Sequence, residues 1–360
     1  MAEIKVTAMS LYNSNLYLED LAYVAGLDLP WEQLRDRSVL ISGATGLVGS
    51  FFVDVLMFKN AKGLNCTVYA LSRNAQKAIV RFSKWNNNPL LQFVSYDINK
   101  PFVRDDFGTI DYVIHMASNT HPMQYSTDPI GTITTNIIGL QNMLEFAVIH
   151  NATRFTFTSS NEIYGENRGD VEFFTEDYCG YINSNTMRAG YPESKRCGEA
   201  LCQAYKAQKG LDVVIPRPTR SYGPTMLMSD TKAVSQFIKK GITGEDIVLK
   251  SEGMQYYSYS YVADTVSGLL YVLMKGKSGE AYNIADEKSD ILLKDLASTI
   301  AGITGRRVVF EIPDVVEAAG YSTATKARLD GNKLKQLGWK ANYGIVSGMT
   351  RTLEILKEIQ

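Results

Sequence analysis

Short apolar, β-branched runs alternate with helically spaced stretches through residues 38–217. Ser38–Ser42 (SVLIS) is the first run, and residues 51–58 follow with apolar side chains at helical spacing. Residues 67–71 (TVYAL), 91–96 (LQFVSY), Tyr112–His115 (YVIH), 155–159 (FTFTS) and 213–216 (VVIP) repeat the strand pattern. Residues 133–149 and 187–208 carry amphipathic helical patterns between them. Strands alternating with helices imply βαβ units, and runs apolar on both sides imply a parallel sheet covered on both faces. Beyond Arg217 the rhythm loosens at Pro218, Gly223, Pro224 and the glycines between 241 and 253. The expected division is an extension over 1–37, a main α/β domain over 38–217, and mainly a smaller α/β lobe over 218–360. Residues 255–285 are expected to return to the main domain. Leu16, Leu21, Tyr23 and Leu27 give the extension an apolar side that should pack on its own chain.

Composition narrows the class. A chain of 360 residues buries roughly three quarters of its unfolded surface and needs no staple. Lys plus Arg number 37 against 38 for Asp plus Glu, a net charge of −1 that suits neither a nucleic-acid binder nor an anionic-membrane binder. No basic run with interleaved aromatics supports nucleic-acid recognition. No window approaches 18 uninterrupted apolar residues, so no membrane span is expected. The first 30 residues contain Glu3, Lys5, Glu19, Asp20 and Asp28, and no basic start leads into an apolar run as in a secretory signal. Cys66, Cys179, Cys197 and Cys202 lack metal-ligand spacing and read as reduced thiols. A cytoplasmic, metal-free enzyme is the expectation.

Strand Ser38–Ser42 runs into Gly43-Ala44-Thr45-Gly46-Leu47-Val48-Gly49 and then a helix. A dinucleotide pyrophosphate sits against backbone N–H groups at a helix N-terminus, where side chains would hold it off. Three glycines between a first strand and first helix therefore point to a Rossmann-type dinucleotide site. Gly43, Thr45, Gly46, Leu47 and Val48 are its loop residues.

The GxxGxxG spacing resembles the extended short-chain dehydrogenase/reductase superfamily. There the end of the second strand selects the cofactor: an acidic residue accepts from a ribose 2′-OH, and arginine suits a 2′-phosphate. Here it reads Leu71-Ser72-Arg73-Asn74, so NAD and NADP both stand, with Arg73 a phosphate partner or a solvated surface residue. The resemblance further implies Asp97 and Ile98 at the adenine, and Met116, Ala117, Ser118 and Pro218 along the cofactor.

Tyr191-Pro192-Glu193-Ser194-Lys195 is a YxxxK, which places both side chains on one helix face. The ammonium is expected to lower the Tyr191 pKa, fitting it to take or give an alcohol proton while a hydride moves. Ser160 lies about 30 residues upstream at a strand end, completing a Ser-Tyr-Lys set, and Glu162 follows it by two. In nucleotide-sugar 4,6-dehydratases this segment runs Thr-Asp-Glu, the Asp protonating the departing 6-hydroxyl. Asn161 fills that position here, and an amide cannot supply the proton.

Several segments look most like the UDP-glucuronate decarboxylases: residues 160–165 (SNEIYG), 117–144 with Asn136, 175–178 (TEDY), Asn183, and 188–191 (RAGY). The resemblance covers roughly 38–360. It implies an NAD(P)-dependent enzyme acting on a nucleotide-diphosphate sugar through a 4-keto intermediate, with decarboxylation or epimerisation as outcome. Ser160, Glu162, Tyr191 and Lys195 would be catalytic; Ser160, Asn161, Glu162, Arg188, Arg220 and Tyr257 would face substrate. A homodimer formed by the helices over 133–149 and 187–208 is also implied. Arg220 stands where relatives usually have Asn, and Tyr257 where they usually have an Arg facing the diphosphate. Arg220 restores that charge, grips a sugar carboxylate, or lies on the surface. A 4,6-dehydratase or an NADPH-dependent reductase of ketones or aldehydes are the alternatives.

Overall fold

The computed structural model describes residues 11–102, 107–120, 122–311 and 325–360. Its centre is a seven-stranded sheet, every neighbouring pair of which is parallel. The strands are β1 (Ser38–Ser42), β2 (Thr67–Ser72), β3 (Leu91–Ser95), β4 (Tyr112–His115), β5 (Arg154–Phe157) and β6 (Val213–Pro218), joined at one edge by Ala281–Ile284. The order 3-2-1-4-5-6 is the doubly wound Rossmann arrangement, with Ala281–Ile284 added beside β6. The continuous apolar runs in the sequence are explained by burial on both sides, since all five residues of β1 are buried.

Alternate strand residues serve opposite faces. Val39 and Ile41 join one core with α2 (Leu47–Asn60), while Leu40, Val113, Phe155 and Ile215 join another. That second core is closed by Leu140, Met143 and Leu144 and by Cys202 of the long helix Gly190–Lys209.

The expected helix over 133–149 is instead three consecutive pieces: a helix at Pro129–Thr134, a π-turn at Thr135–Gly139, and a helix at Leu140–Ile149. The interruption falls at Asn136, whose side chain bonds neighbouring elements. Gly139 meanwhile brings the turn so close to Ile98 that a Cβ would lie 2.8 Å from its side chain. Single π-turns inside helices recur where a side chain has been re-aimed for function.

Beyond β6 the chain builds a smaller sheet. Its strand Tyr256–Tyr261 is flanked by Asp290–Leu292 (antiparallel) and Lys326–Ala327 (parallel), and it also pairs in parallel with Arg220–Tyr222. The helix Val262–Lys275 then packs against α2 and β6 on the main sheet. The N-terminal helix α1 (Asn15–Ala25) lies on α2 with Tyr17, Leu21 and Val24 fully buried. Among the described residues no helix is long and apolar enough to cross a membrane, and no His/Cys/Asp/Glu cluster could hold a metal ion.

Candidate active site

The glycine loop is built by backbone meeting backbone. Gly43 has φ +72°, and a Cβ there would lie 2.8 Å from Ala117 N and Met116 C at the end of β4. A Cβ on Gly49 would lie 2.3 Å from Gly43 O. Gly46 precedes α2 with no side-chain cap. The helix N-terminus therefore presents bare N–H groups beside the carboxyl ends of β1 and β4, the geometry that accepts a pyrophosphate. Ser42 Oγ contacts His115 Nδ1 at 2.8 Å and accepts from Met116 N and Ala117 N, fixing the two strand ends together. Burial, then the Lys195 charge, lowers the His115 pKa to about 3, so its ring is neutral.

The remaining expected cofactor residues line the same edge. Ser72 folds back onto Asn74, and Arg73 is exposed. Asp97 accepts from Asn99 N at 3.1 Å, and Ile98 is buried, its carbonyl accepting from Asn142. Thr45, Leu47, Val48, Met116, Ala117, Ser118 and Pro218 are half-buried. Pro218 ends β6 opposite Ile284. The cradle that a Cβ would fill, open at α2 and walled by these strand ends, fits a dinucleotide.

Ser160, Glu162, Arg188 and Tyr191 converge in one cluster. Ser160 and Ser118 lie beside the Tyr191 hydroxyl and favour its ionised form. Ser118 Oγ in turn donates to Asn136 Oδ1 at 2.7 Å, and Asn136 Nδ2 donates to Ser194 Oγ at 2.9 Å. The π-turn thus anchors both the loop after β4 and the helix that carries Tyr191. Arg188 Nη2 donates to both Glu162 oxygens at 2.8 Å. Tyr125, which the sequence did not single out, lies between the two halves. Its ring stacks on Tyr191 at 5.0 Å and lies 4.8 Å below the Arg188 guanidinium. No motif marks Tyr125; it follows the loop after β4 by its place in space alone. Asn161 is buried beside this cluster.

The expected depression of Tyr191 is not the resting state of this pocket. Burial pushes its phenol well above the ordinary value and the Glu162 carboxylate adds to it, while Ser160, Arg188 and Ser118 pull the other way. Lys195 is buried one turn along and donates to Thr158 O at 2.8 Å. Burial lowers its own pKa to about 8.

Arg220 and Tyr257 form a second unit at the lobe boundary. The Arg220 guanidinium lies 3.5 Å from the Tyr257 ring centroid, a cation–π contact, and its Nη1 is buried without a hydrogen-bond partner among the described residues. Lys232, also unmarked in the sequence, reaches from the smaller lobe to Thr120 Oγ1 at 3.4 Å and Asp230 at 3.0 Å.

Comparison with known proteins places this arrangement. UDP-glucuronic acid decarboxylase 1 of Xenopus tropicalis is 31% identical over 327 residues, covering 90% of this chain and 73% of the relative. UDP-glucuronic acid decarboxylase 6 of Arabidopsis thaliana is 31% identical, covering 86% of each chain. Among solved structures, a dTDP-glucose 4,6-dehydratase from Streptomyces venezuelae with NAD bound superposes with a TM-score of 0.77 at 24% identity, over 89% of this chain and 97% of that one. The UDP-glucuronic acid 4-epimerase of Bacillus cereus, in complex with UDP-glucuronic acid and NAD, gives 0.77 at 22%, over 90% and 100%. The family model described as NAD dependent epimerase/dehydratase family matches residues 39–285. With its glycine cradle, its Ser-Tyr-Lys set and that match, this chain belongs to the NAD dependent epimerase/dehydratase family.

Proposed function

We propose that this enzyme converts a nucleotide-diphosphate sugar through a 4-keto intermediate and ends in decarboxylation at C6 or epimerisation at C4 or C5. The observation that carries this reading is the single cluster of Ser160, Tyr191, Glu162 and Arg188, in which an alcohol-directed proton site adjoins a carboxylate that simple carbonyl reduction would leave without a task. UDP-glucuronate is the first substrate to try, because the decarboxylase relatives are named for it.

A bound dinucleotide supplies the hydride acceptor for C4 and later the donor. Gly43, Thr45, Gly46, Leu47 and Val48 would hold its pyrophosphate, Ser72 its ribose, Asp97 and Ile98 its adenine, and Met116, Ala117, Ser118 and Pro218 its other half. We assign NAD, named in the family's description and present in both solved neighbours, which leaves Arg73 as a surface residue.

Once ionised to the phenolate, Tyr191 accepts the C4 hydroxyl proton and returns to the phenol, and Ser160 donates a hydrogen bond to the C4 oxygen. Lys195, cationic at neutral pH, favours the Tyr191 oxyanion from one turn away. The C4 ketone makes a C6 carboxylate a β-keto acid. The C5–C6 bond then breaks, carbon dioxide leaves, and the electron pair passes to the C4 enolate, which a proton at C5 quenches. Glu162, with its charge balanced by Arg188, orients or exchanges that C5 proton. Dehydration lacks its acid, because Asn161 stands where the leaving hydroxyl needs one. Arg220, stacked on Tyr257 with a free Nη1, and Arg188 supply positive charge for the diphosphate or the sugar carboxylate.

Two finer assignments complete the reading. Ile130, Ile133 and Met187 are exposed, and Ile133, Met187, Gly190 and Cys197 border an apolar groove of about 650 Å³. These faces are assigned to a homodimer. The four cysteines are all free, in keeping with a reducing cytoplasm.

Tyr191→Phe should lower turnover of the nucleotide sugar by about a hundredfold or more while cofactor binding and the melting temperature stay near wild type. Near-wild-type turnover would remove Tyr191 as the acid/base. Arg220→Ala should weaken nucleotide-sugar binding about tenfold, read by calorimetry; an unchanged dissociation constant would take Arg220 out of the site. Because Lys195 loses its proton through about pH 8, kcat should fall on the alkaline side with an apparent pKa near that value. A flat profile well past pH 9 (about one unit above the Lys195 transition) would contradict the role given to its cation.

A further inference from the structure

The N-terminal helix α1 lies outside the residues matched by the family model, yet it carries buried polar ties in two directions. One direction leads to the cofactor side. Asp54, fully buried in α2 two turns beyond Gly46, accepts from the hydroxyls of Tyr12 and Tyr17, from Arg81 Nη2 at 2.7 Å and from Trp85 Nε1 at 3.1 Å. Arg81 also donates to both phenol oxygens. It ends the helix Ala75–Arg81, which begins directly after Ser72-Arg73-Asn74. This hub therefore joins the N-terminal segment to the helix behind the glycine loop and to the helix behind the ribose-side turn.

The other direction leads to the smaller lobe. Asp20, on α1 and fully buried, accepts from Tyr343 Oη at 2.8 Å, from Arg351 Nε at 2.9 Å and from the Tyr261 hydroxyl. Arg351 also donates to Leu16 O at 2.7 Å and Glu19 at 3.1 Å. Tyr23 donates to Asp264, which also accepts from the backbone of Asn342 and Tyr343. Tyr261 ends the strand whose residue Tyr257 stacks on Arg220.

One short helix thus bonds the element that forms the cofactor cradle to the strand and terminal helix of the substrate side, at two hubs that share no residue. Buried charges held by several donors fix geometry, and opening such a hub leaves its groups without partners. We propose that residues 11–25 are a clasp between the two parts of the enzyme, and that Tyr17 and Asp20 act as positioning residues that slow release of the dinucleotide between turnovers. The proposal rests on the reading above, in which the cofactor is reoxidised or re-reduced in place and gains from staying bound. A clasp opened at either end is open. Loosening one hub should therefore have the effect of loosening both, whereas two independent structural contacts would add.

The test uses the full chain and NAD as probe, without sugar. Tyr17→Phe removes one hydroxyl, and Asp20→Asn removes one charge while keeping an acceptor. Each, and the double variant, is assayed for NAD dissociation by rapid mixing, and for kcat and the apparent KM for NAD. The expected result is an NAD dissociation rate raised about fivefold or more in each single variant. The double variant should match the singles, with kcat at saturating NAD within about twofold of wild type. If Asp20→Asn fails to fold, Tyr17→Phe alone decides. Folded variants that release NAD at the wild-type rate overturn the clasp, even if their melting temperatures fall. A wild-type chain that binds no dinucleotide overturns the clasp together with the proposed function, so the two failures are distinguishable.

Discussion

Everything at the catalytic edge depends on how closely three stretches of backbone approach one another. The end of β1, the end of β4 and the start of α2 meet with no side chain between them, because Gly43 and Gly49 have none to place there. The positive φ at Gly43 turns the chain back over Met116 and Ala117 and leaves the first N–H groups of α2 facing outward. A methyl group at either glycine would have to displace backbone, which has nowhere to move inside a sheet packed on both faces. The same approach brings Ser118, the residue after that contact, within reach of Asn136 and Tyr191. The proposed cofactor cradle and proton site are therefore one construction.

The fold tolerates real electrostatic cost at that construction. Lys195 is buried, donating to the Thr158 carbonyl and lying over the Phe157 ring, and burial lowers its pKa from the ordinary lysine value of 10.5 to about 8. Between those two values the unfolded chain holds the extra proton, so this group's contribution to stability rises with pH across that window. Below pH 8 the folded enzyme keeps a buried cation that an apolar residue would spare it. Tyr191 is likewise held as a phenol by burial and by Glu162. Lys195 thus keeps its charge at neutral pH with its pKa drawn toward the working range, while burial and Glu162 oppose ionisation of Tyr191; perturbed groups of this kind cluster at working sites. Glu162 and Arg188 show the complementary solution, charge answered by charge, with the Tyr125 ring as the floor beneath both Arg188 and Tyr191.

Much of this was legible in the sequence, for reasons that are local. SVLIS and YVIH are short and uniformly apolar, as strands buried on both faces are, TVYAL alternates buried with half-buried positions, and the glycine spacing needs only neighbours to be understood. Tyr191 and Lys195 declare themselves by a helical interval. What the sequence hid is tertiary. The π-turn falls at Asn136, whose amide oxygen accepts from Ser118 while its nitrogen donates to Ser194, partners that come from two other elements. Tyr125 matters only because a helix brings Tyr191 under it. YxxxK reports the position of Lys195 but neither the depth of burial nor Glu162, and these push the Tyr191 phenol up where the motif alone implies a lowering. No motif marks Asp20 or Asp54, because their phenol and guanidinium partners come from distant parts of the chain, as far away as Arg351.

In the proposed reaction a hydride leaves C4 of the sugar and returns to the same molecule. The most direct test is to supply UDP-glucuronate carrying deuterium at C4, with catalytic NAD only, and to examine the product by mass spectrometry and NMR. The expected product is a decarboxylated or epimerised nucleotide sugar that retains deuterium at C4, with no accumulation of reduced cofactor. Loss of the label, or turnover that consumes one equivalent of external reduced dinucleotide per sugar, would contradict it.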